Sequence, residues 1–144
     1  MLHEAGGFDI VAMWEVLEHL PKNTESIALL EINRVLKKGG ILILSAPHHH
    51  RFGNFFDPAW YFGHRHYTQE RIQYLIKESG FFVYDIEIYG GWYEILTMIP
   101  FYIFKWLFRS EIPFKDFFEK KRAEEYARKG FANIFVKATK NCDS

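Results

Sequence analysis

Apolar residues along this chain form short unbroken runs that alternate with runs of helical spacing. The first short run is Phe8 to Trp14, read FDIVAMW, and the second is Ile41 to Leu44. Both predict strands, and the first predicts a strand that is covered on both faces. Between them, apolar residues recur at helical spacing from Ala28 to Leu36, and the two lysines and two glycines at 37–40 are expected to end this helix. A strand, a helix and a strand in this order predict a crossover between neighbouring parallel strands.

Longer connections separate the elements that follow. The segment from Pro47 to Tyr67 has no periodicity, and its many aromatic residues favour an ordered loop. The next elements are predicted to be a helix from Thr68 to Gly80 and a strand from Phe81 to Tyr89. A helical pair is predicted over 92–129, with a break near Pro113, and a last strand over 132–139. Helices and strands that alternate along the chain predict an α/β fold.

Composition and charge narrow the function classes only modestly. The 18 lysine and arginine residues balance 18 aspartate and glutamate residues, and the charged helix at 115–129 mixes both signs, so a nucleic-acid partner is not predicted. The single cysteine cannot form an internal disulfide, and the first residues lack the pattern of a signal peptide, which together favour a cytoplasmic protein. The most apolar stretch, Ile95 to Phe104, is too short to span a membrane.

Three segments carry a resemblance to a known family. They read FDIVAMWEVLEHLP, LLEINRVLKKGGILILSAP and GHRHYTQERIQYLIKESGF. In order and spacing they resemble the class I S-adenosylmethionine-dependent methyltransferases, the large family that includes ubiquinone-pathway and many small-molecule O-methyltransferases. The likeness spans residues 8–89, with a weaker echo in the final strand.

The resemblance implies a fold. We expect a partial Rossmann-like methyltransferase sheet, with strands equivalent to the family's fourth, fifth, sixth and seventh. Helices would flank this sheet, and a helical insertion at 92–129 would precede the last strand at 132–139. The chain, 1–144, would then be a single truncated methyltransferase domain, the carboxyl-terminal half only.

The resemblance also implies a cofactor, S-adenosylmethionine. Residues that match Met13 and Trp14 commonly lie against the methionine part of this cofactor in the family, and we expect Glu15 to join them. The alternative is that Met13 and Trp14 only pack the sheet. The family's glycine-rich loop has no counterpart here, because no G-x-G sequence occurs in the chain. Without that loop the backbone cannot closely approach the cofactor, so we expect weak binding by this chain alone.

The first three strands of the family have no counterpart in this sequence, and this difference predicts a protein partner. In the family order the first strand lies beside the fourth, so Phe8 to Trp14 becomes a bare, apolar sheet edge. Such edges invite pairing with another chain. We therefore expect a homodimer or association with a missing amino-terminal half, in addition to a small-molecule substrate.

Two glutamates and a histidine follow the first strand. Glu15, Glu18 and His19 stand at positions i, i+3 and i+4, so a helical turn places them on one face, where they can bind a divalent metal. Ubiquinone-pathway O-methyltransferases use a matching E-x-x-E-H for a metal, and small-RNA 2′-O-methyltransferases add a downstream histidine. The resemblance thus implies His64 or His66 as a fourth ligand. The alternative is that Glu18 and His19 organise the turn and contact substrate or a neighbouring helix.

Histidines at a strand end are candidates for a general base. His48, His49 and His50 follow Pro47, and an imidazole near neutrality can deprotonate a hydroxyl or an amine before methyl transfer. His19 and His48 are the predicted catalytic residues. Two alternatives stay open: these are exposed loop histidines, or methyl transfer proceeds by positioning alone.

The insertion at 92–129 begins WYEILTMIPFYIFKWLF and allows three interpretations. It can cover an apolar or glycan-linked substrate as a lid, form an oligomer interface, or contact a membrane peripherally through Trp92, Lys105 and Trp106. The predicted function is methyl transfer to a small-molecule or glycan-linked acceptor, incomplete in this chain. The alternative is a non-catalytic half-domain that acts as a dimerisation or interaction module.

Overall fold

The computed structural model describes residues 3–50, 60, 63–109 and 114–141. Strand β1 spans Phe8–Trp14, β2 spans Leu36–Pro47, β3 spans Phe81–Tyr89 and β4 spans Asn133–Lys140. Helix α1 spans Glu25–Val35, α2 spans Gln69–Glu78, α3 spans Trp92–Ile103 and α4 spans Lys115–Tyr126. A short 3₁₀ turn at Leu17–His19 follows β1, and a π-helical turn at Phe104–Phe108 continues α3. Within the described ranges, no helix combines the length and the apolar character needed to cross a membrane.

The predicted order of elements is confirmed. The side chain of Thr68 caps α2 by accepting a hydrogen bond from the N–H of Arg71 at 3.2 Å, and Gly80 follows the helix with a φ of 81°. Strand β3 has the predicted bounds. The break predicted near Pro113 lies outside the described residues, as does most of the loop from Pro47 to Tyr67.

The strands form one sheet in the order β1, β2, β4, β3. β1 and β2 are parallel, as the crossover through α1 predicts, and β4 is antiparallel to both of its neighbours. Because of these directions, the carboxyl ends of β1, β2 and β3 reach the same end of the sheet as the amino end of β4. This is the partial Rossmann-like sheet that the resemblance implies.

One face of the sheet carries the core. Helices α1 and α2 contact each other and form the layer over this face. The buried side chains include Leu29 of α1, Ile72, Leu75 and Ile76 of α2, Leu42 and Leu44 of β2, and Ile134, Val136 and Ala138 of β4. Burial of each larger aliphatic side chain stabilises the fold by about 2 kcal/mol.

The opposite face is more open, and the prediction that β1 is covered on both faces is wrong. Ile10 and Trp14 are 54% and 52% exposed, whereas Val11 and Met13, which alternate with them, pack against the core. Since α1 and α2 form a single layer, the side chains of β1 that point the other way stay largely exposed.

Helix α1 ends earlier than predicted, and the glycines have another role. The helix stops at Val35, and Leu36 is already extended. Gly39 has a φ of 71°, and the pairing register between β1 and β2 shifts at this point. A Cβ on Gly40 would lie 2.9 Å from the carbonyl oxygen of Lys37. The glycines therefore make an irregularity at the start of β2 instead of ending α1.

Arg65 joins three segments near the end of β1. Its guanidinium donates to the carboxylate of Glu25 at 2.6 Å, to the carbonyl oxygen of Leu17 at 3.0 Å and to that of Leu20. The hydroxyl of Tyr67, a buried residue, donates to the same Leu17 oxygen at 3.0 Å. The side chains of Arg65 and Glu25 are 19% and 8% exposed. This largely buried ion pair fixes the 3₁₀ turn against α1 and the segment before α2.

We expect Arg65→Met to lower the free energy of unfolding by about 3 kcal/mol, because it leaves the Glu25 carboxylate buried without its partner. Arg34→Met is the matched control. Arg34 pairs with Glu31 at the same 2.6 Å, but these side chains are 39% and 51% exposed. Loss of an exposed pair should cost less than about 1 kcal/mol. Urea denaturation at neutral pH measures both variants, and equal losses would contradict the assigned role of Arg65.

Candidate functional site

The turn after β1 is held to the end of β2 by Glu15 and Ser45. Glu15 has a φ of 48°, in the left-handed region, which costs a non-glycine residue roughly 1–2 kcal/mol. Its N–H donates to the carbonyl and hydroxyl oxygens of Ser45 at 3.3 and 3.1 Å, and the Ser45 hydroxyl donates back to Oε1 of Glu15 at 2.6 Å. These bonds offset the strain and fix the direction in which the chain leaves the sheet.

The carboxyl group of Glu15 is in a perturbed environment. Although much of the residue is exposed, its carboxyl group is partly buried, and this burial raises its pKa. The hydrogen bond from Ser45 opposes the rise, and the negative charge of Glu94 adds to it. The turn is therefore within electrostatic reach of the first turn of α3.

Glu18 is a buried carboxyl in the 3₁₀ turn. It is 4% exposed, and its Oε2 has no hydrogen-bond partner among the described residues. Burial is the main reason why its pKa rises to about 7, while its own N–H and Arg65 oppose the rise and Glu15 adds to it. Its Oε1 lies 3.8 Å from Nε2 of His19. The turn thus keeps a carboxyl that exchanges a proton near neutral pH.

The predicted metal ligands do not form a metal site. The predicted set is Glu15, Glu18, His19 and His66, with His64 as the alternative fourth ligand. The His19 ring packs edge-on against His64 at 4.3 Å between centroids, and the His66 ring packs against Trp60 at 5.0 Å. In the part of the chain that the structure describes, no group of three or more histidine, cysteine, aspartate or glutamate side chains is arranged to hold a metal.

His48 lies at the carboxyl end of β2 with a defined tautomer. Its backbone N–H donates to the carbonyl oxygen of Ala132 at 2.8 Å, and its Nδ1 lies 2.9 Å from the carbonyl oxygen of Phe131. A carbonyl oxygen only accepts, so Nδ1 carries the proton and Nε2 of the neutral ring keeps its lone pair. Burial lowers the pKa of His48, the hydrogen bond to Phe131 opposes this, and His50 adds to it. The neutral ring is therefore favoured at pH 7.

Phe135 of β4 is the centre of an aromatic cluster at this end of the sheet. The rings of Trp14, Tyr89 and Tyr126 lie 6.0, 5.8 and 6.1 Å from its ring between centroids. Ser45 pairs with Trp14 on one side and with Phe135 on the other, and its small side chain lets the two large rings approach each other. The cluster joins β1, β3, β4 and α4.

The helical insertion lies against the same end of the sheet. Tyr126 of α4 accepts a hydrogen bond from the side-chain amide of Asn133 at 2.5 Å, and burial raises the pKa of Tyr126 to about 12. The carboxylate of Glu125 accepts from the N–H groups of Tyr93 and Glu94 at 2.9 and 3.3 Å. The first turn of α3 and the last turn of α4 therefore border the strand ends.

Part of this arrangement follows from the sequence. The predicted site residues that reach this end of the sheet are Trp14, Glu15, His19 and His48. Met13 instead packs against the core. Ser45 was not predicted, although it is the only hydroxyl residue in the apolar run ILILSAP. No local sequence pattern marks Phe135 as a site residue, because its role depends on which strand pairs with β2.

Comparison with known proteins gives a partial sequence match and many structural ones. A family model described as a methyltransferase domain matches residues 2–44, which hold β1, α1 and most of β2. No curated protein matches the chain. Among solved structures, the cyclase SpnF superposes with a TM-score of 0.58 at 20% identity, over 98% of this chain and 52% of its own.

Two further solved structures are similar. One, a possible histamine N-methyltransferase from Thermotoga maritima, has a TM-score of 0.59 at 22% identity, over 98% of this chain and 60% of its own. The other is 1,6-didemethyltoxoflavin-N1-methyltransferase from Burkholderia thailandensis with bound 1,6-didemethyltoxoflavin and S-adenosylhomocysteine. Its TM-score is 0.56 at 13% identity, over 97% of this chain and 47% of its own.

At these identities the likeness shows the fold alone, and the chain spans only 47% to 60% of the three solved structures. The strand order agrees with the domain match, since the matched residues 2–44 form the parallel pair of β1 and β2 with its crossover helix. The chain therefore has part of the Rossmann-like fold of the class I S-adenosylmethionine-dependent methyltransferases.

Proposed function

We propose that this chain takes part in methyl transfer from S-adenosylmethionine to a small-molecule or glycan-linked acceptor, which binds where β1 and β2 end. The methyltransferase-domain match over residues 2–44 supports this cofactor. Two of the similar structures are named as methyltransferases of small molecules, but SpnF is named as a cyclase. The reaction must therefore be argued from the site, because one fold can host several chemistries.

The observation that carries the proposal is the imidazole of His48. It is neutral at pH 7, its Nδ1–H bond to Phe131 leaves Nε2 as an acceptor, and it lies at the carboxyl end of a parallel strand. Ligands of open α/β sheets bind at such ends. In the proposed reaction Nε2 takes the proton of the acceptor hydroxyl or amine, and the Phe131 carbonyl stabilises the imidazolium. His19, which is exposed and lies 3.8 Å from Glu18, is the second candidate for this base.

The residues at the end of β1 fit the charge of the cofactor. When bound, S-adenosylmethionine supplies a methyl group on a sulfonium cation. Trp14 offers a half-exposed aromatic ring, which attracts a cation, and the carboxyl group of Glu15, held by Ser45, follows it in the turn. We assign these two residues to the methionine half of the cofactor. The nucleotide half requires residues outside this chain, because the chain contains no G-x-G sequence.

We expect His48→Gln to lower the rate of methyl transfer by about 100-fold or more, because glutamine keeps the size of the side chain but removes the base. The matched control is His49→Gln at the exposed neighbouring position, which should retain activity. The measurement is S-adenosylhomocysteine release with panels of hydroxyl and amine acceptors, after addition of a chain that carries a G-x-G half. Absence of both turnover and S-adenosylhomocysteine binding in that combination would contradict the enzymatic proposal.

The pKa of Glu18 predicts how stability changes with pH. Its pKa is about 7 in the folded chain against an ordinary value of 4.5, so between these values the folded state holds a proton that the unfolded state has lost. The stability contributed by this group is therefore fully present below pH 4.5 and is lost as the pH rises through 7, about 3 kcal/mol in total. Urea denaturation across this range should show the fall, and Glu18→Gln should flatten it. Equal slopes for both proteins would contradict the assignment.

A second candidate function is supported by the exposure of β1. This strand is the outermost one on its side of the described sheet, and Phe8, Ile10 and Trp14 are 39%, 54% and 52% exposed. An apolar edge strand pairs readily with another strand. In this alternative the chain is a non-catalytic half-domain that pairs with a second copy or with a missing amino-terminal half.

If β1 pairs with a second copy, light scattering during size exclusion should give the mass of a dimer. Ile10→Lys should weaken this dimer by about tenfold or more, because a charged residue on an edge strand blocks pairing. Tyr84→Lys is the control, since Tyr84 is 70% exposed on β3, at the other edge of the sheet. A wild-type monomer at all concentrations, or equal weakening by both variants, would argue against pairing through β1.

A further inference from the structure

The segment formed by α3 and the π-helical turn exposes large apolar side chains. Trp106 is 82% exposed, Leu107 73% and Phe108 58%, and Phe101 and Ile103 are 46% and 47% exposed. Ile103, Trp106 and Leu107 stand at positions i, i+3 and i+4 and therefore share one side of the helical segment, away from Glu94 and Thr97. We name these three side chains the outer face of α3. Neighbouring apolar side chains exposed to this extent are unfavourable in water, and such patches mark interaction surfaces.

The other side of α3 already contributes to the fold. Arg122 of α4 donates to the carboxylate of Glu94 at 2.6 and 2.9 Å. Thr97 is 7% exposed, and Glu125 of α4 accepts from the N–H groups of Tyr93 and Glu94 at the start of the helix. Because α3 packs on α4 through Glu94 and the N–H groups of its first turn, the outer face can be buried against a partner without disturbing these contacts.

Two cations lie in the second half of this segment and directly after it, whereas its first turn carries Glu94, which pairs with Arg122. From Ile95 to Ser110 the sequence contains Lys105 and Arg109 and no aspartate or glutamate. Both side chains are exposed, and Nζ of Lys105 lies 5.3 Å from the centre of the Phe101 ring. Exposed tryptophan, phenylalanine and leucine beside lysine and arginine are typical of helices that lie in the interface of anionic membranes.

We propose that the outer face of α3 docks on an anionic lipid surface. Ile103, Trp106 and Leu107 enter the boundary between headgroups and acyl chains, and Lys105 and Arg109, which flank them along the chain, contact the phosphates. The balanced charge of the whole chain does not oppose this, because the attraction acts within about a Debye length of the surface. A second copy of the chain fits less well, since a two-fold contact would bring the cations of one copy close to those of the other.

Vesicle flotation tests the proposal on the whole chain, with vesicles of phosphatidylcholine alone and of an equimolar mixture with phosphatidylglycerol. We expect binding to the mixed vesicles with a blue shift of tryptophan emission, and loss of binding in the double variant Trp106→Ser, Leu107→Ser. Lys105→Gln combined with Arg109→Gln should weaken binding to mixed vesicles about 30-fold, because each cation near an anionic surface contributes about fivefold.

The matched control is Tyr74→Ser combined with Arg71→Gln, which should leave binding unchanged. Tyr74 is a 54% exposed aromatic residue on α2, with the Arg71 guanidinium 5.6 Å from its ring centre. All substituted side chains are exposed, so unchanged thermal unfolding separates lost docking from lost folding. Wild-type protein that binds neither kind of vesicle overturns the proposal. A lipid-free dimer that Trp106→Ser, Leu107→Ser dissociates also overturns it, because the outer face then belongs to a second copy.

Discussion

The parallel pairing of β1 with β2 determines where the candidate site residues lie. In its register Trp14 pairs with Ser45, and Ser45 pairs with Phe135 of β4 on its other side. This row of three residues brings the two large rings together and lets the Ser45 hydroxyl hold the carboxyl of Glu15. A shift of one residue would turn Trp14 into the core and Met13 out of it, because side chains alternate between the faces of a strand. The core therefore enforces the geometry of the strand ends.

Two energetically unfavourable features lie in the turn that follows β1. Glu15 has a left-handed backbone, and Glu18 buries a carboxyl with an unpartnered oxygen. Ser45 and Arg65 supply the hydrogen bonds that hold this turn in place. Strain and buried polar groups persist where the surrounding structure imposes them, and they are most frequent at functional sites. This supports the turn as part of a site and not only as a connection between β1 and α1.

The parts of the fold that could be predicted from the sequence are those with local signals. Helix α2 has its cap at Thr68 and its glycine at position 80, and β3 is bounded by Gly80 and Gly90, so both could be found from nearby residues. The pair Gly39 and Gly40 is ambiguous locally, because glycine both ends helices and permits bulges. Only the partner strand decides between the two. The open face of β1 and the ring cluster on Phe135 also depend on topology, which no local pattern encodes.

The place of β4 in the sheet has a consequence for how the chain is made. β3 pairs with β4, and β4 pairs with β2, so in the described sheet β3 has no hydrogen-bonded neighbour until the last strand arrives. During synthesis, the ribosome must complete the entire helical insertion while β2 and β3 keep unpaired edges. Contacts between such distant segments form slowly, and unpaired edges favour aggregation. Nascent chains of this protein therefore expose unpaired strand edges throughout the interval between the emergence of β3 and that of β4.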